Sequence, residues 1–262
     1  AEWLARRYVR TNMAAKAQAL VDADAVIAVS SVIAGDLVAR DPALARARIE
    51  VIPNPVDVDA IEERASEAPE IAIDGPYILA AGRLVKSKNF DLLIRAYARY
   101  GGRPKLVIMG EGPLRDTLAA TTRECGVEGR VLFPGFIANP YALMRRAEFF
   151  VLSSNAEGFP NALVEAMATR AAVIATNCAS GPSEILAEAS RAQISALTFA
   201  KHGVLTPPND VAAMADAMAA MSNDAMRRDY ATKARVRAGA FSAEAAKDRY
   251  WAVIREAMAA AR

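Results

Sequence analysis

One histidine and two cysteines in 262 residues leave few side chains for metal, redox or imidazole chemistry. Cys125 and Cys178 lie far apart, lack CxxC spacing and have no histidine beside them, which excludes the common zinc and dithiol motifs. They are expected to be inert buried thiols. His202, in KHGVLTPP, has no acid or serine partner near it in sequence and is expected to be a surface or cap residue rather than a base. An excess of charge of one sign is missing too. The 32 basic and 30 acidic residues nearly cancel, so no global field favours nucleic acid or an anionic membrane, and phosphate binding must be local. The longest apolar runs, such as AVIAVS at 25–30 and FFVLSS at 149–154, are far too short to cross a bilayer, and no charged start followed by an apolar stretch marks a signal peptide. The expectation is a cytoplasmic protein, at most peripheral to a membrane. No GxxxxGK sequence occurs, which removes the common ATPase and GTPase readings. Ala1 stands where a methionine would start a gene product, so processing, trimming or derivation from a longer chain is expected.

What is present is alternation. Short apolar runs near 25–29, 49–52, 77–81, 105–109, 131–133, 148–152, 172–175 and 203–205 read as strands, and the stretches between them carry helical period. That is the pattern of an α/β fold with a doubly wound parallel sheet. Phe90, Leu93, Ile94 and Tyr97 form one apolar stripe, and Val211, Met214, Ala215, Met218 and Ala219 another. The polar segment SEAPEIAIDGP, 66–76, reads as a linker between domains. Residues 77–240 then form a complete domain, whereas 1–65 hold too few strands to cover a sheet and read as the end of an incomplete α/β domain. A last helix over 241–262, capped by Ser242 and striped with Tyr250, Val253, Ile254, Ala257 and Met258, is expected to pack back toward that amino-terminal part.

Three constellations carry chemistry. In GRLVKSKNF a strand runs into Gly82, Arg83 and Lys88, and the carboxyl ends of strands face the ligand crevice in doubly wound folds. Arg83 offers a fork for phosphate oxygens and Lys88 a point charge, although two solvated cations would look the same. In SSNAEGFPNALVEAM, Gly158 permits close approach, Pro160 suits a first helical turn, and the free amides there attract anions. Glu157 precedes that helix and Glu165 lies inside it beside Leu163 and Met167. A glycosidase pair is rejected, since eight helical residues span roughly 12 Å against about 5 to 9.5 Å for such pairs. The third, MGEGPLRD, lacks the last glycine of a dinucleotide fingerprint, has Arg115 in its place, and is followed by a strand, VLF, with no terminal acid; it reads as a tight turn.

Taken in order, GRLVKSK, GEGPLRD, FPGFIANPYALMRRAEFFVLSSNAEGFPNALVEAM and VIATNCASGPSEIL resemble the carboxyl-terminal, Rossmann-like domain of family 4 retaining glycosyltransferases of the GT-B fold, over about residues 25–240. The E-x7-E element of Glu157 and Glu165 is the most specific part. The resemblance implies that Arg83 and Lys88 hold the donor diphosphate and stabilise its leaving charge with no metal required. It implies that Glu165 hydrogen-bonds the ribose, that Glu157 faces the donor sugar, and that Gly158, Phe159, Pro160 and Asn161 lie near sugar and phosphates. The backbone of Gly135, Phe136 and Ile137 would contact the nucleobase, and Asn54 would be structural. The donor is a nucleoside diphosphate sugar, UDP-sugar favoured and GDP-sugar open; the acceptor is a glycan or a lipid-linked sugar, as in polysaccharide biosynthesis, and no nucleic acid is a partner. Arg170 and Ala172 stand where the family usually has glycine and proline, and Ser183 where it often has arginine. The acceptor site of such enzymes belongs to an amino-terminal domain, so this chain is expected to bind donor without turning over. A non-catalytic nucleotide-binding module supporting a partner chain is the alternative, and a nicotinamide oxidoreductase a third reading that the defective fingerprint disfavours.

Overall fold

The computed structural model describes residues 18–260, which divide into two compact units, one holding residues up to Asn54 with those from Glu244 on, the other Pro55–Ala243. In the smaller unit β1 (Val26–Ala28) pairs in parallel with β2 (Ile49–Val51), with α1 (Ser31–Arg40) between them in sequence. Ser30 starts that helix by accepting the amide of Ile33 at 3.1 Å.

The larger unit opens with α2 (Val58–Ser66), capped by the Asp57 carboxylate on the Ala60 amide, and then alternates: β3 (Tyr77–Ala81), α3 (Phe90–Tyr100), β4 (Lys105–Met109), α4 (Arg115–Glu124), β5 (Val131–Gly135), α5 (Tyr141–Arg146), β6 (Phe150–Leu152), α6 (Asn161–Ala168), β7 (Val173–Thr176) and α7 (Pro182–Leu186). A two-residue strand, β8 (Thr198–Phe199), precedes β9 (Val204–Thr206), α8 (Val211–Met221) and α9 (Asp224–Ala238). The seven strands lie in the order β5-β4-β3-β6-β7-β9-β8, with β8 antiparallel on β9 and the other pairings parallel. Ile78, Leu79 and Ala80 are fully buried, as a central strand covered on both faces requires. The core joins them to Leu93, Ile94 and Tyr97 of α3 and to Met214, Met218 and Met221 of α8.

Three sequence readings shift. The boundary between units falls at Asn54/Pro55, and 66–76 lies inside the larger unit rather than between two domains. Of the expected α8 stripe Met214, Ala215 and Met218 are buried and Val211 is half-buried, but Ala219 is exposed, and Ala213, Ala217 and Met221 complete the buried face. β8 was not anticipated, because two residues are too few to show a period.

The last helix, α10 (Ala243–Ala260), groups with the smaller unit, where Ala246 and Val253 are buried against Ile52 and Tyr250 is half-buried. Ile254 and Met258, expected on its apolar stripe, are exposed at 41% and 61%, since the buried face runs through 246, 250 and 253.

Candidate functional site at the sheet switch point

β3 and β6 are neighbours in the sheet, while the chain winds outward from β3 through β4 and β5 on one side and from β6 through β7 and β9 on the other. Their carboxyl ends therefore part at a topological switch point, the place where open α/β sheets receive ligands. The loops leaving the two strands are tied together. Ser153 Oγ donates to the Lys88 carbonyl at 2.8 Å, and the Asn155 amide donates to the Ser87 carbonyl at 2.7 Å. Asn89, in the left-handed region at φ 47°, caps α3 and donates to the Asn155 side chain at 3.0 Å.

This stitching brings Lys88 and Glu157 into contact. Lys88 Nζ lies 2.6 Å from Glu157 Oε1, and Ser154 Oγ donates to the same oxygen at 2.6 Å. The loop after β6 is held from the β7 side: Thr176 Oγ1 donates to the Leu152 and Ser154 carbonyls, and Ser180 Oγ to the Gly158 carbonyl at 2.6 Å. Gly181, at φ 96°, lies so close that a Cβ there would come within 2.4 Å of Pro160 Cδ. Behind the loop, the Phe159 ring packs on Phe241 with centroids 5.6 Å apart. Pro160 precedes α6 rather than sitting in its first turn, and its carbonyl accepts from the amides of Leu163 and Val164. Gly158 and Asn161 are exposed.

Beside this corner a cavity of about 380 Å³ is walled by Ala81–Arg83, Met109–Glu111, Phe136, Ile137 and Pro140. Arg83 is exposed, and its guanidinium makes no hydrogen bond or ion pair with the described residues. Phe136 is 73% exposed at the cavity and Ile137 is buried. Gly110, at φ 123°, passes so near β3 that a Cβ would lie 2.1 Å from the Gly82 carbonyl oxygen, and it donates its amide to Gly135 at 2.8 Å. The MGEGP turn is thus part of the cavity wall. Sequence reasoning missed Glu111 here, whose only signal was its place at the end of a strand, and Ser154, three residues before Glu157.

Glu165 faces a second pocket of about 230 Å³, with Asp57, Arg64, Tyr141 and Asn161 among its lining residues. Burial raises the Glu165 carboxyl above the usual carboxylate range. The Tyr141 hydroxyl is also raised, first by burial and then by the Glu165 charge. Pro140 of the first pocket and Tyr141 of the second are consecutive, so the two adjoin along the chain.

Some expected positions read differently. His202 is 7% exposed, with neither ring nitrogen hydrogen-bonded, and burial lowers its pKa; it is a core residue of the α7–β9 connection, not a surface or cap group. Its Nε2 is 3.6 Å from Glu188 Oε1, a partner contributed 14 residues upstream by its number. Cys178 is buried, with its thiol pushed up to about 11 chiefly by burial, whereas Cys125 is only half-buried. Arg170 takes φ 67° just past α6, the left-handed cap that glycine usually fills, and pairs with Glu62 at 2.9 Å. Ala172 and Ser183 are buried.

A mostly parallel, doubly wound sheet with an ion pair and a cavity at its switch point defines an α/β protein of the open-sheet, ligand-crevice class. Residues 61–237 match the family described as glycosyl transferases group 1, and the chain belongs to that family. It is 38% identical over 195 residues, 74% of this chain and 50% of the relative, to the N-acetylgalactosamine-N,N'-diacetylbacillosaminyl-diphospho-undecaprenol 4-alpha-N-acetylgalactosaminyltransferase of Campylobacter jejuni. It is 30% identical over 176 residues, 65% of this chain and 47% of the relative, to the lipopolysaccharide 1,6-galactosyltransferase of Salmonella typhimurium. The chain thus spans about half the length of these curated relatives. Among solved structures, HepE of Anabaena in complex with UDP superposes with a TM-score of 0.75 at 21% identity, covering 91% of this chain and 65% of that one. TarM superposes with a TM-score of 0.74 at 22% identity, covering 93% and 46%. These structures share the GT-B architecture, and at such identity they speak for the fold alone. No helix of the described residues is long and apolar enough to cross a membrane.

Proposed function

We propose that this chain carries the donor site of a retaining, family 4 glycosyltransferase that moves a sugar from a nucleoside diphosphate, UDP in the first instance, to a glycan or lipid-linked acceptor. The observation that carries the reading is the Lys88–Glu157 pair joining the loops after β3 and β6, with the Lys88 stem lying against Gly82 and Gly82 and Arg83 walling the adjoining cavity. A diphosphate at that corner meets the free guanidinium of Arg83 and the remaining N–H donors of Lys88, since an ammonium has three and Glu157 engages one. Both cations act on the charge that grows on the leaving diphosphate, an electrostatic task that requires no metal. Glu157 faces the donor sugar, the nucleobase enters the Gly135–Ile137 side, and Glu165 accepts from ribose hydroxyls. The raised pKa of Glu165 supports that last role: a carboxylate made costly by desolvation gains most from new donors. The substrates in the names of the two relatives, an undecaprenol-linked sugar and lipopolysaccharide, support a lipid-linked or glycan acceptor. The span of about half the length of the curated relatives supports a chain that binds donor and does not turn over alone, at a cytoplasmic or membrane-peripheral location.

Calorimetric titration with UDP, GDP, UMP and NADH, with EDTA present, tests the reading. We expect a nucleoside diphosphate to bind well above its monophosphate, and to be lost in Arg83→Ala and Glu165→Ala. Tight NADH binding, or transfer by the isolated chain, would overturn it.

A further inference from the structure

Residues 64–70, from the last turn of α2 into the polar segment read as a linker, grip the loop that follows β5. Arg64 Nη2 donates to the Ala138 carbonyl at 2.7 Å. The Glu70 carboxylate accepts from the Asn139 amide at 2.5 Å and from the Ala138 amide at 3.4 Å. The Ala138 carbonyl and the Asn139 N–H are the two ends of one peptide unit, so a cation and an anion hold that unit from both sides. The Asn139 side chain answers by donating to the Arg64 carbonyl at 2.9 Å and to Glu67 Oε2 at 2.8 Å. Arg146 adds a donation to the Glu67 carbonyl at 3.0 Å.

The grip has a consequence one residue upstream. The loop leaves β5 at Gly135, whose φ of 85° makes it the soft point, and crosses the cavity wall with Phe136 and Ile137. A peptide fixed at 138–139 anchors the loop directly after Ile137, and so limits how far Phe136 and Ile137, which line the cavity, can shift. Backbone groups discriminate between bases only if their donors and acceptors are held in place. Charge-assisted bonds to main-chain groups are the stronger kind of hydrogen bond, which suits them to that task.

We infer that Glu70 and Arg64 are positioning residues that set nucleobase affinity and selectivity by clamping the Ala138–Asn139 peptide; this rests on the donor-site reading above. Neither residue touches the base, and the clamp acts through the loop alone. Arg64 also places its guanidinium 4.9 Å above the Tyr141 ring in the pocket of Glu165, so the clamp joins the base side to the ribose side.

Titrations of the chain with UDP, GDP and inorganic pyrophosphate separate this role from general damage. For Glu70→Ala we expect about tenfold weaker binding of the preferred nucleoside diphosphate, the effect of losing roughly one charge-assisted bond's worth of preorganisation, and a narrower UDP to GDP ratio. Pyrophosphate affinity, which depends on Arg83 and Lys88, stays unchanged. Glu70→Gln, which keeps one acceptor, recovers part of the loss. Wild-type base preference persisting in Glu70→Ala would overturn the clamp and leave the donor site standing, as would equal losses of nucleotide and pyrophosphate. Equal wild-type affinities for UDP, GDP and pyrophosphate would overturn both readings together.

Discussion

The two acids of one loop and helix, Glu157 and Glu165, meet opposite surroundings. Glu157 is almost fully covered and satisfied: its Oε1 takes an ammonium at 2.6 Å and a hydroxyl at 2.6 Å. Glu165 lies in a half-closed pocket where burial dominates and drives its pKa up. One carboxylate holds the corner together through an ammonium and a hydroxyl; the other is desolvated. On the function proposed above, the first acid is an organiser of the corner and the second a receiver of donors from the ligand.

The largest blow to this contrast should come from behind the Glu157 loop. Phe241→Ala removes the ring under Phe159, and we expect a loss of about 3 kcal/mol, the lower end for emptying an aromatic core site. Chemical denaturation reads it, together with weaker donor binding. Leucine at 241 should restore most of both; donor affinity unchanged in the alanine variant would show that the loop does not lean on this ring.

Glu157→Ala should cost about 2 kcal/mol, since charge-assisted bonds contribute roughly 1.5–3 each and Lys88 keeps some solvent. In a double-mutant cycle with Lys88→Ala the two losses should not add. Additivity would mean that the pair is a coincidence of packing.

Glu165→Gln should act with the opposite sign on stability. A carboxyl whose folded pKa is raised binds protons more tightly folded than unfolded, so stability falls as pH rises through the window between the two pKa values, and the full penalty stands above it. Glutamine removes that penalty, raising stability at pH 8 by about 1 kcal/mol, the low end for one poorly solvated group, and flattening the pH profile near the carboxylate range. Nucleotide affinity should fall in the same variant. A variant less stable than the parent at pH 8 would contradict the receiver role.

The smallest effect is expected at the far end of α6. Arg170→Gly relieves a left-handed φ that costs a side-chain-bearing residue about 1 kcal/mol, but loses a half-exposed pair with Glu62 of some tenths. A net gain near 0.5 kcal/mol with unchanged nucleotide binding is expected, and any change in binding would extend the site beyond the loop and first turns.

Much of this was legible without coordinates. Apart from β8, the strands of the larger unit fall within one or two residues of the apolar runs that announced them, and Phe90, Leu93, Ile94 and Tyr97 are buried as their spacing required. Arg83, Glu157 and Glu165 were visible as cations and acids at strand and helix ends. His202 was misread because a lone polar residue between short elements carries no period, and only the packing of α7 and β9 buries it. Residues 66–76 were read as an interdomain linker because proline, glutamate and alanine in a polar run look alike whether they drift in solvent or, like Glu67 and Glu70, bind a loop.

The sequence by itself determined the alternation of strands and helices, the places where the chain turns, and the chemical kinds of group at each turn, because periods of 2 and 3.6 and the φ demands of glycine and proline are local properties. Only the tertiary structure decided which turns meet. Placing β6 beside β3, with β4 and β5 lying to the other side, sets Lys88 on Glu157 across 69 residues and Glu70 on Asn139 across another 69. Such pairings follow from sheet order and burial, where many distant residues compete for one neighbour, and no short stretch of the chain carries that information.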